Sequence, residues 1–193
     1  MIVGALSLYD AATQAIGLAA SACVLFGLAH KSDGRLFLVL IAAHALFCLH
    51  FWMLGALAGA GANAIAIFRA WFARNRRDRR TCLLLMIAFL AMAAFTVRAP
   101  IDLLAAFAPV VSTAVMFALT GWRMRLALLA ASSMWLTYNL AQGSWGGVLN
   151  EVCVLLVSLV TIARLLRAET ALPGPADPTD PAKPPIPRPD PTR

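Results

Sequence analysis

The chain has 193 residues, of which 61% are hydrophobic and only 13% are charged. A soluble domain averages about 45–50% apolar and about 25% charged residues, so most of this chain must face lipid or other lipid-buried helices. The formal net charge is +7. The basic residues stand in short runs between apolar spans, a pattern that fixes membrane orientation, and nucleic acid is not an expected partner.

Seven apolar segments follow one another along the chain. Their runs are continuous rather than alternating, which predicts membrane helices of about 20 residues and excludes the strands of a β-barrel. We therefore predict an all-α membrane protein. The segments cover 9–29, 36–54, 57–73, 82–97, 101–119, 124–141 and 146–166.

The positions of Lys and Arg predict how the chain crosses the bilayer. Basic residues fill the first, third and fifth connections and follow the seventh span, whereas the second and sixth connections have none. The fourth connection has only Arg98, which Asp102 follows closely. Basic loops stay in the cytoplasm. We therefore expect seven spans, with the N-terminus outside and the C-terminus in the cytoplasm.

An internal period of 87 residues relates the second and third apolar segments to the sixth and seventh. It matches Phe51 with Tyr138 and Asn63 with Asn150. Such a period predicts duplicated parallel units in a 3+1+3 arrangement. The predicted parts are a first three-helix unit at 1–80, a linker helix at 81–99 and a second unit at 100–167. A proline-rich tail at 168–193 is predicted to be disordered in the cytoplasm.

The two asparagines are the leading candidates for a binding site. An amide in hydrocarbon costs free energy unless it finds polar partners. At matched depths, Asn63 and Asn150 could face each other across the repeat interface and bind a polar solute. Trp135 and Tyr138 would then supply part of an apolar wall. In the alternative interpretation, each Asn ties its own three-helix unit together.

Two charged residues lie inside predicted spans. Glu151 should pair, face water or hold a proton, and it could couple proton movement to transport. Alternatively it is an interfacial acid near the outer surface. For Arg69 we expect the side chain to extend to the cytoplasmic headgroups.

Catalytic and cofactor chemistry is not expected. The four cysteines form no CxxC pair, and His44 and His50 are six residues apart, a spacing that puts them on different faces of a helix. No metal site is therefore expected from them. The sequence has no visible nucleophile–base pair or phosphate-binding loop, so we predict neither an enzyme nor a cofactor.

The stretch HFWMLGALAGAGANAIAIFR, with YNLAQGSWGGVLNEVCVLLVSLVTIARLLR further on, resembles the YgjV family of bacterial inner-membrane proteins. The resemblance covers roughly residues 10–167. Its matching features include the His50-Phe51 pair, Arg69, Gly146-Gly147 and Glu151.

The 3+1+3 layout also resembles the SWEET and PQ-loop transporters. That resemblance implies that Asn63 and Asn150 line a substrate site and that Pro109 acts as a hinge. Pro109 is the only proline in the middle of a span, no Pro-Gln dipeptide is present, and the matching position in the first unit is Ala22.

These features together predict a small-solute transporter of the bacterial inner membrane that works by alternating access. The alternative is a non-transporting membrane scaffold or small-molecule sensor that uses the tail as its partner contact. The expected partners are the lipid bilayer and a small polar solute. The sequence leaves open whether the chain also forms a homo-oligomer. A polar cavity lined by Asn63 and Asn150 would favour the transporter, whereas a core of packed apolar side chains would favour the alternative.

Overall fold

The structure is a computed structural model that describes residues 7–29, 33–75 and 78–171. These residues form helices and no strand, which confirms the all-α prediction. The seven helices are α1 (Leu8–Ala29), α2 (Asp33–Met53), α3 (Leu57–Asn75), α4 (Arg79–Thr96), α5 (Asp102–Ala118), α6 (Gly121–Ala141) and α7 (Trp145–Ala171). Helix α7 runs a few residues past its predicted end, and the rest of the predicted tail lies outside the described residues.

Six of the helices form a ring. Each helix packs on the next one along the chain, and further contacts join α3 to α5 and α1 to α7. The ring order is therefore α1, α2, α3, α5, α6, α7, with α4 packed against α3 and α5. In this order α3 and α7 stand on opposite sides of the ring.

Small residues fill the interior of the ring and large apolar residues cover its outside. The buried hydrophobic residues are mostly alanines, such as Ala20, Ala58 and Ala105. By contrast, Phe95 is 84% exposed and Leu84 is 67% exposed. A soluble protein buries its largest apolar side chains, whereas small residues between helices and large ones outside are typical of packing in a bilayer.

Three helical stretches are both long and apolar enough to cross a membrane, at Leu8–Phe26, Arg79–Thr96 and Trp145–Arg167. Shorter apolar stretches lie in α2, α3 and α5. Helix α6 is in neither group, and it carries Arg123, Arg125 and several hydroxyl side chains. Seven crossings thus remain a prediction.

Two glycine turns fix the ends of α2 and α6. Gly55 and Gly143 have φ angles of +74° and +65°, and both turns close with the same backbone hydrogen bond. That bond joins Ala56 N–H to the Phe51 carbonyl in one turn and Ser144 N–H to the Asn139 carbonyl in the other, each at 2.9 Å. Left-handed glycines of this kind commonly end helices.

These turns lie 88 residues apart, since Gly143 follows Gly55 by that number. The predicted period of 87 is therefore wrong by one residue at the turns. Counted from the turns, Asn63 corresponds to Glu151, and His44 corresponds to Ser132. We call the end of the ring that carries these two turns the corner end.

Candidate functional site

A cavity of about 340 Å³ lies inside the ring. All six ring helices contribute to its wall, and α3 and α7 face each other across it. It begins beside Phe51 near the corner end and extends toward the opposite end as far as Leu40, Arg69 and Ser158. Its volume falls in the range of small-molecule sites, which is about 300–1,000 Å³.

Both predicted asparagines line this cavity, but their surroundings differ. Both amide atoms of Asn63 have a hydrogen-bond partner. Its Nδ2 donates to the Gly59 carbonyl at 2.9 Å, and its Oδ1 lies 3.0 Å from His44 Nδ1. The Asn63 oxygen can only accept, so the His44 nitrogen donates. Asn150 donates to the Glu151 carboxylate at 3.0 Å. Its Oδ1 has no hydrogen-bond partner among the described residues.

Glu151 lies on the cavity wall next to Asn150. Its carboxylate accepts from Asn150 and also interacts with the Ser132 side chain of α6. Both partners are neutral groups. The residue that corresponds to it by the turns, Asn63, has the neutral partner His44 in the place of Ser132.

Arg69 points into the bundle, so its predicted extension to the headgroups is wrong. Its guanidinium donates to Ser112 at 3.0 Å and to Thr113 at 3.5 Å, both on α5. It also lies 5.8 Å from the ring centre of Phe89. Two hydroxyl acceptors and a π face on neighbouring helices hold the side chain inside, where it lines the cavity.

Trp135 lines the cavity as predicted for a wall residue, but Tyr138 does not. Tyr138 is fully buried, and its hydroxyl accepts from the Gly59 N–H at 3.0 Å. Its ring packs against Phe51 and Trp135. The enclosed ring and the occupied hydroxyl keep Tyr138 away from the space that a solute would use.

The corner end is closed by packed aromatic rings. Phe51 of α2 stacks on Phe47 and contacts Trp135 and Tyr138 of α6, with ring centres 5.8–6.2 Å apart. Phe51 and Tyr138 are both almost fully buried. We call these four residues the aromatic plug, because they fill the ring between the cavity and the corner end.

A chain of hydrogen bonds surrounds His50 beside the plug. Its Nδ1 donates to the Thr13 carbonyl at 2.8 Å, and its Nε2 lies 2.8 Å from the Ser144 hydroxyl. In the neutral ring Nε2 therefore accepts from Ser144. Ser144 in turn accepts from the Gly147 N–H at 3.2 Å. This chain connects α1, α2 and the start of α7.

Helix α1 makes two further contacts with the Gly143 turn and the start of α7. The Gln14 amide donates to the Gly143 carbonyl at 2.9 Å and accepts from the Trp145 N–H at 3.2 Å. One turn further along α1, the Gly17 backbone packs directly on Gly146, where a Cβ would overlap it. The contact between α1 and α7 is thus a backbone-to-backbone seam.

Pro109 lies within α5, is buried and lines the cavity. Proline removes one backbone hydrogen bond from the helix interior. Its own carbonyl accepts from the hydroxyls of Ser112 and Thr113, at 3.1 Å and 2.6 Å. A hinge at this position stays a prediction.

Several polar residues on and beside the cavity were missed by the sequence reasoning. His44, Ser132 and Asn139 line the cavity, and Asn139 Oδ1 has no hydrogen-bond partner in the part of the chain that the structure describes. Each stands inside an apolar span, which by itself signals a polar partner or a cavity. Within the described ranges, no cluster of three potential metal ligands occurs.

An alanine-rich interior, an apolar exterior and a cavity with a few polar groups on a largely apolar wall define an all-helical membrane protein. Residues 11–169 match the family model for the YgjV-type bacterial inner membrane protein, and the chain belongs to that family. No curated protein and no solved structure matched the chain. The resemblance to SWEET and PQ-loop transporters therefore stays a prediction.

Proposed function

We propose that the protein binds a small polar solute in the ring cavity and carries it across the inner membrane by alternating access. The observation that supports this most is the unpartnered amide oxygen of Asn150, a residue that lines the cavity beside Glu151 and across from Arg69. A buried acceptor without a donor costs free energy, and a bound solute can supply that donor. Such sites combine an apolar wall with a few placed polar groups.

The helices belong to two parallel three-helix units, α1–α3 and α5–α7, with α4 as the linker. Equivalent contacts inside the two units and the equivalent glycine turns support this layout. The basic loops orient it with the N-terminus outside and the C-terminus in the cytoplasm. The corner end then faces outward, so the aromatic plug corresponds to an outer gate in its closed state.

Reporter fusions test this orientation. Fusions after Arg80 and after Arg167 should be active as cytoplasmic reporters, and a fusion near Arg98 as an external one. A cytoplasmic reporter at Arg98 would contradict the seven-span layout.

The residues of the cavity have different parts in this proposal. Asn150 and Trp135 contact the solute directly, whereas Asn63 reaches it from the opposite wall while remaining bonded to His44. Glu151 is the group that takes up a proton if transport is coupled to one. No chemistry on the solute is involved, so the protein is not an enzyme.

The experiment starts from a strain that lacks the gene. Its metabolites are compared with those of the parent, and any solute that differs is then tested for uptake by liposomes containing the purified protein. The Asn150→Ala variant should reduce uptake strongly, whereas Ser133→Ala, an exposed neighbour on α6, should not. Binding without uptake by the wild-type protein would instead support a small-molecule sensor.

A further inference from the structure

The cavity carries two opposite charges, and among the described residues each has only neutral partners. Arg69 is held by two hydroxyls and an aromatic ring, and Glu151 by an amide and a hydroxyl. The two residues lie on α3 and α7, on opposite sides of the ring. A buried charge without a counter-charge is costly, so each wall favours a ligand group of the opposite sign.

The Glu151 side of the cavity also has an amide oxygen without a partner. Asn150 and Asn139 are 8% and 2% exposed, both line the cavity, and neither Oδ1 has a partner in the described part of the chain. Asn139 Oδ1 packs against Gly147, whereas Asn150 adjoins the Glu151 carboxylate. A carboxylate beside an unpaired amide oxygen matches a group with several N–H donors, and an ammonium group has three of them.

We propose that the solute is a small zwitterion, with its ammonium group beside Glu151 and Asn150 and its carboxylate on Arg69. This inference rests on the proposed function and names the substrate class of the same site.

The two charges lie at different depths in the ring. Each residue can be counted from the glycine turn that precedes its helix. Arg69 then lies six residues further along α3 than Glu151 lies along α7. At 1.5 Å per residue the two Cα atoms differ in depth by about 9 Å. The arginine side chain tilts back toward the start of α3, which brings its guanidinium closer to the depth of Glu151.

Other solute classes leave at least one charge uncompensated. A simple amine would place its charge in the same cavity as Arg69, and a simple carboxylate would do so with Glu151. A neutral polyol can bond to both groups but neutralises neither. Since electrostatic attraction is strong where water is excluded, the zwitterion should bind most tightly.

The test is a binding panel on the purified full-length protein in lipid nanodiscs, measured by calorimetry. The zwitterionic probes are glycine, β-alanine, γ-aminobutyrate and ε-aminocaproate, so that the spacing of the charges is varied. The matched single-charge probes are butylamine and butyrate, and erythritol is the neutral one. At least one zwitterion should bind about tenfold or more tighter than each of the other probes, since charged hydrogen bonds are worth at least that factor.

Two variants assign the ends of the solute. Glu151→Gln should weaken zwitterion binding by about tenfold or more while leaving butyrate unaffected or improved. Arg69→Gln should weaken the zwitterion and leave butylamine unaffected or improved. Ser133→Ala, whose hydroxyl bonds within its own helix, is the control that should change nothing. If a variant does not fold, the wild-type panel alone still decides.

Equal affinity for a zwitterion and butylamine, or no binding of any zwitterion, would overturn the inference. Failure of the proposed function gives a different result. If a zwitterion binds but liposomes do not take it up, the substrate class stands and the transport proposal fails. If erythritol is taken up and no zwitterion binds, transport stands and the zwitterion is rejected.

Discussion

The seam between α1 and α7 gives the sharpest prediction of stability. Gly146 of α7 packs on the backbone of Gly17 and Leu18 in α1, and a Cβ at position 146 would lie 2.6 Å from the Leu18 nitrogen. The Gly146 carbonyl also accepts from the Ser21 hydroxyl. In Gly146→Ala the added methyl group meets main chain, which cannot rotate away, so the two helices must separate.

A matched control exists in α3. In Gly61→Ala the new Cβ meets the Met92 side chain, 2.7 Å from its sulfur. Methionine has three rotatable bonds and adapts to new neighbours. The gain in helix propensity from Gly to Ala is common to both variants and cancels between them.

The expected difference follows from the two kinds of contact. Overpacking that cannot be relieved costs about 1–3 kcal/mol, and loss of the Ser21 bond adds about 0.6 kcal/mol in a membrane. Gly146→Ala should therefore be less stable than Gly61→Ala by about 2–4 kcal/mol. Gly61→Ala itself should equal the wild-type protein or exceed it slightly.

Unfolding in mixed micelles by increasing SDS, followed by fluorescence of the five tryptophans, measures this difference. Gly146→Ala should unfold at a lower SDS fraction than the wild-type protein and the Gly61→Ala control. The same midpoint for both variants would refute a backbone contact between α1 and α7, and with it the closure of the ring at that seam.

The remaining predictions concern buried polar groups, each measured by the same unfolding assay. Asn63→Ala should destabilise the protein by about 1–2 kcal/mol, because it removes interhelical bonding to His44, and stability equal to wild type would contradict that bond. Asn150→Ala removes one bond to the Glu151 carboxylate and should cost only about 0.6 kcal/mol while uptake or ligand binding falls, and a loss of several kcal/mol would show that Asn150 is structural. Ser144→Ala should cost about 1–3 kcal/mol because it leaves the buried His50 Nε2 unpaired, and a neutral result would exclude the bond.

The sequence predicted the helices well and their assembly poorly. Continuous apolar runs were enough to locate the seven described helices. Gly55 and Gly143 marked the ends of α2 and α6, because such glycines commonly end helices. The contact of Gly17 with Gly146 could not be predicted, since nothing in either segment names its distant partner. Arg69 was misjudged for the same reason, because its partners Ser112 and Thr113 belong to another helix.

The one-residue error in the repeat explains which site residues were found. One residue turns a helix face by about 100°, so a shifted register pairs positions that face different directions. Asn150 still lies on the cavity because it adjoins Glu151, the residue that corresponds to Asn63 by the turns. Tyr138 was paired with Phe51 and assigned to the wall, whereas both rings belong to the aromatic plug.

Counted from the two glycine turns, the cavity residues differ between the two halves of the ring. At corresponding positions, one half of the ring has the neutral pair His44 and Asn63, and the other has Ser132 and the acid Glu151. An exact duplication would give like charges at matched depths on opposite walls, which repel each other and favour no dipolar solute. With its only cavity acid in α7 and its cavity arginine in α3, the described part of the ring instead has opposite walls of opposite charge. The proposed zwitterion would then meet a group of opposite charge at each of its ends, in one orientation only.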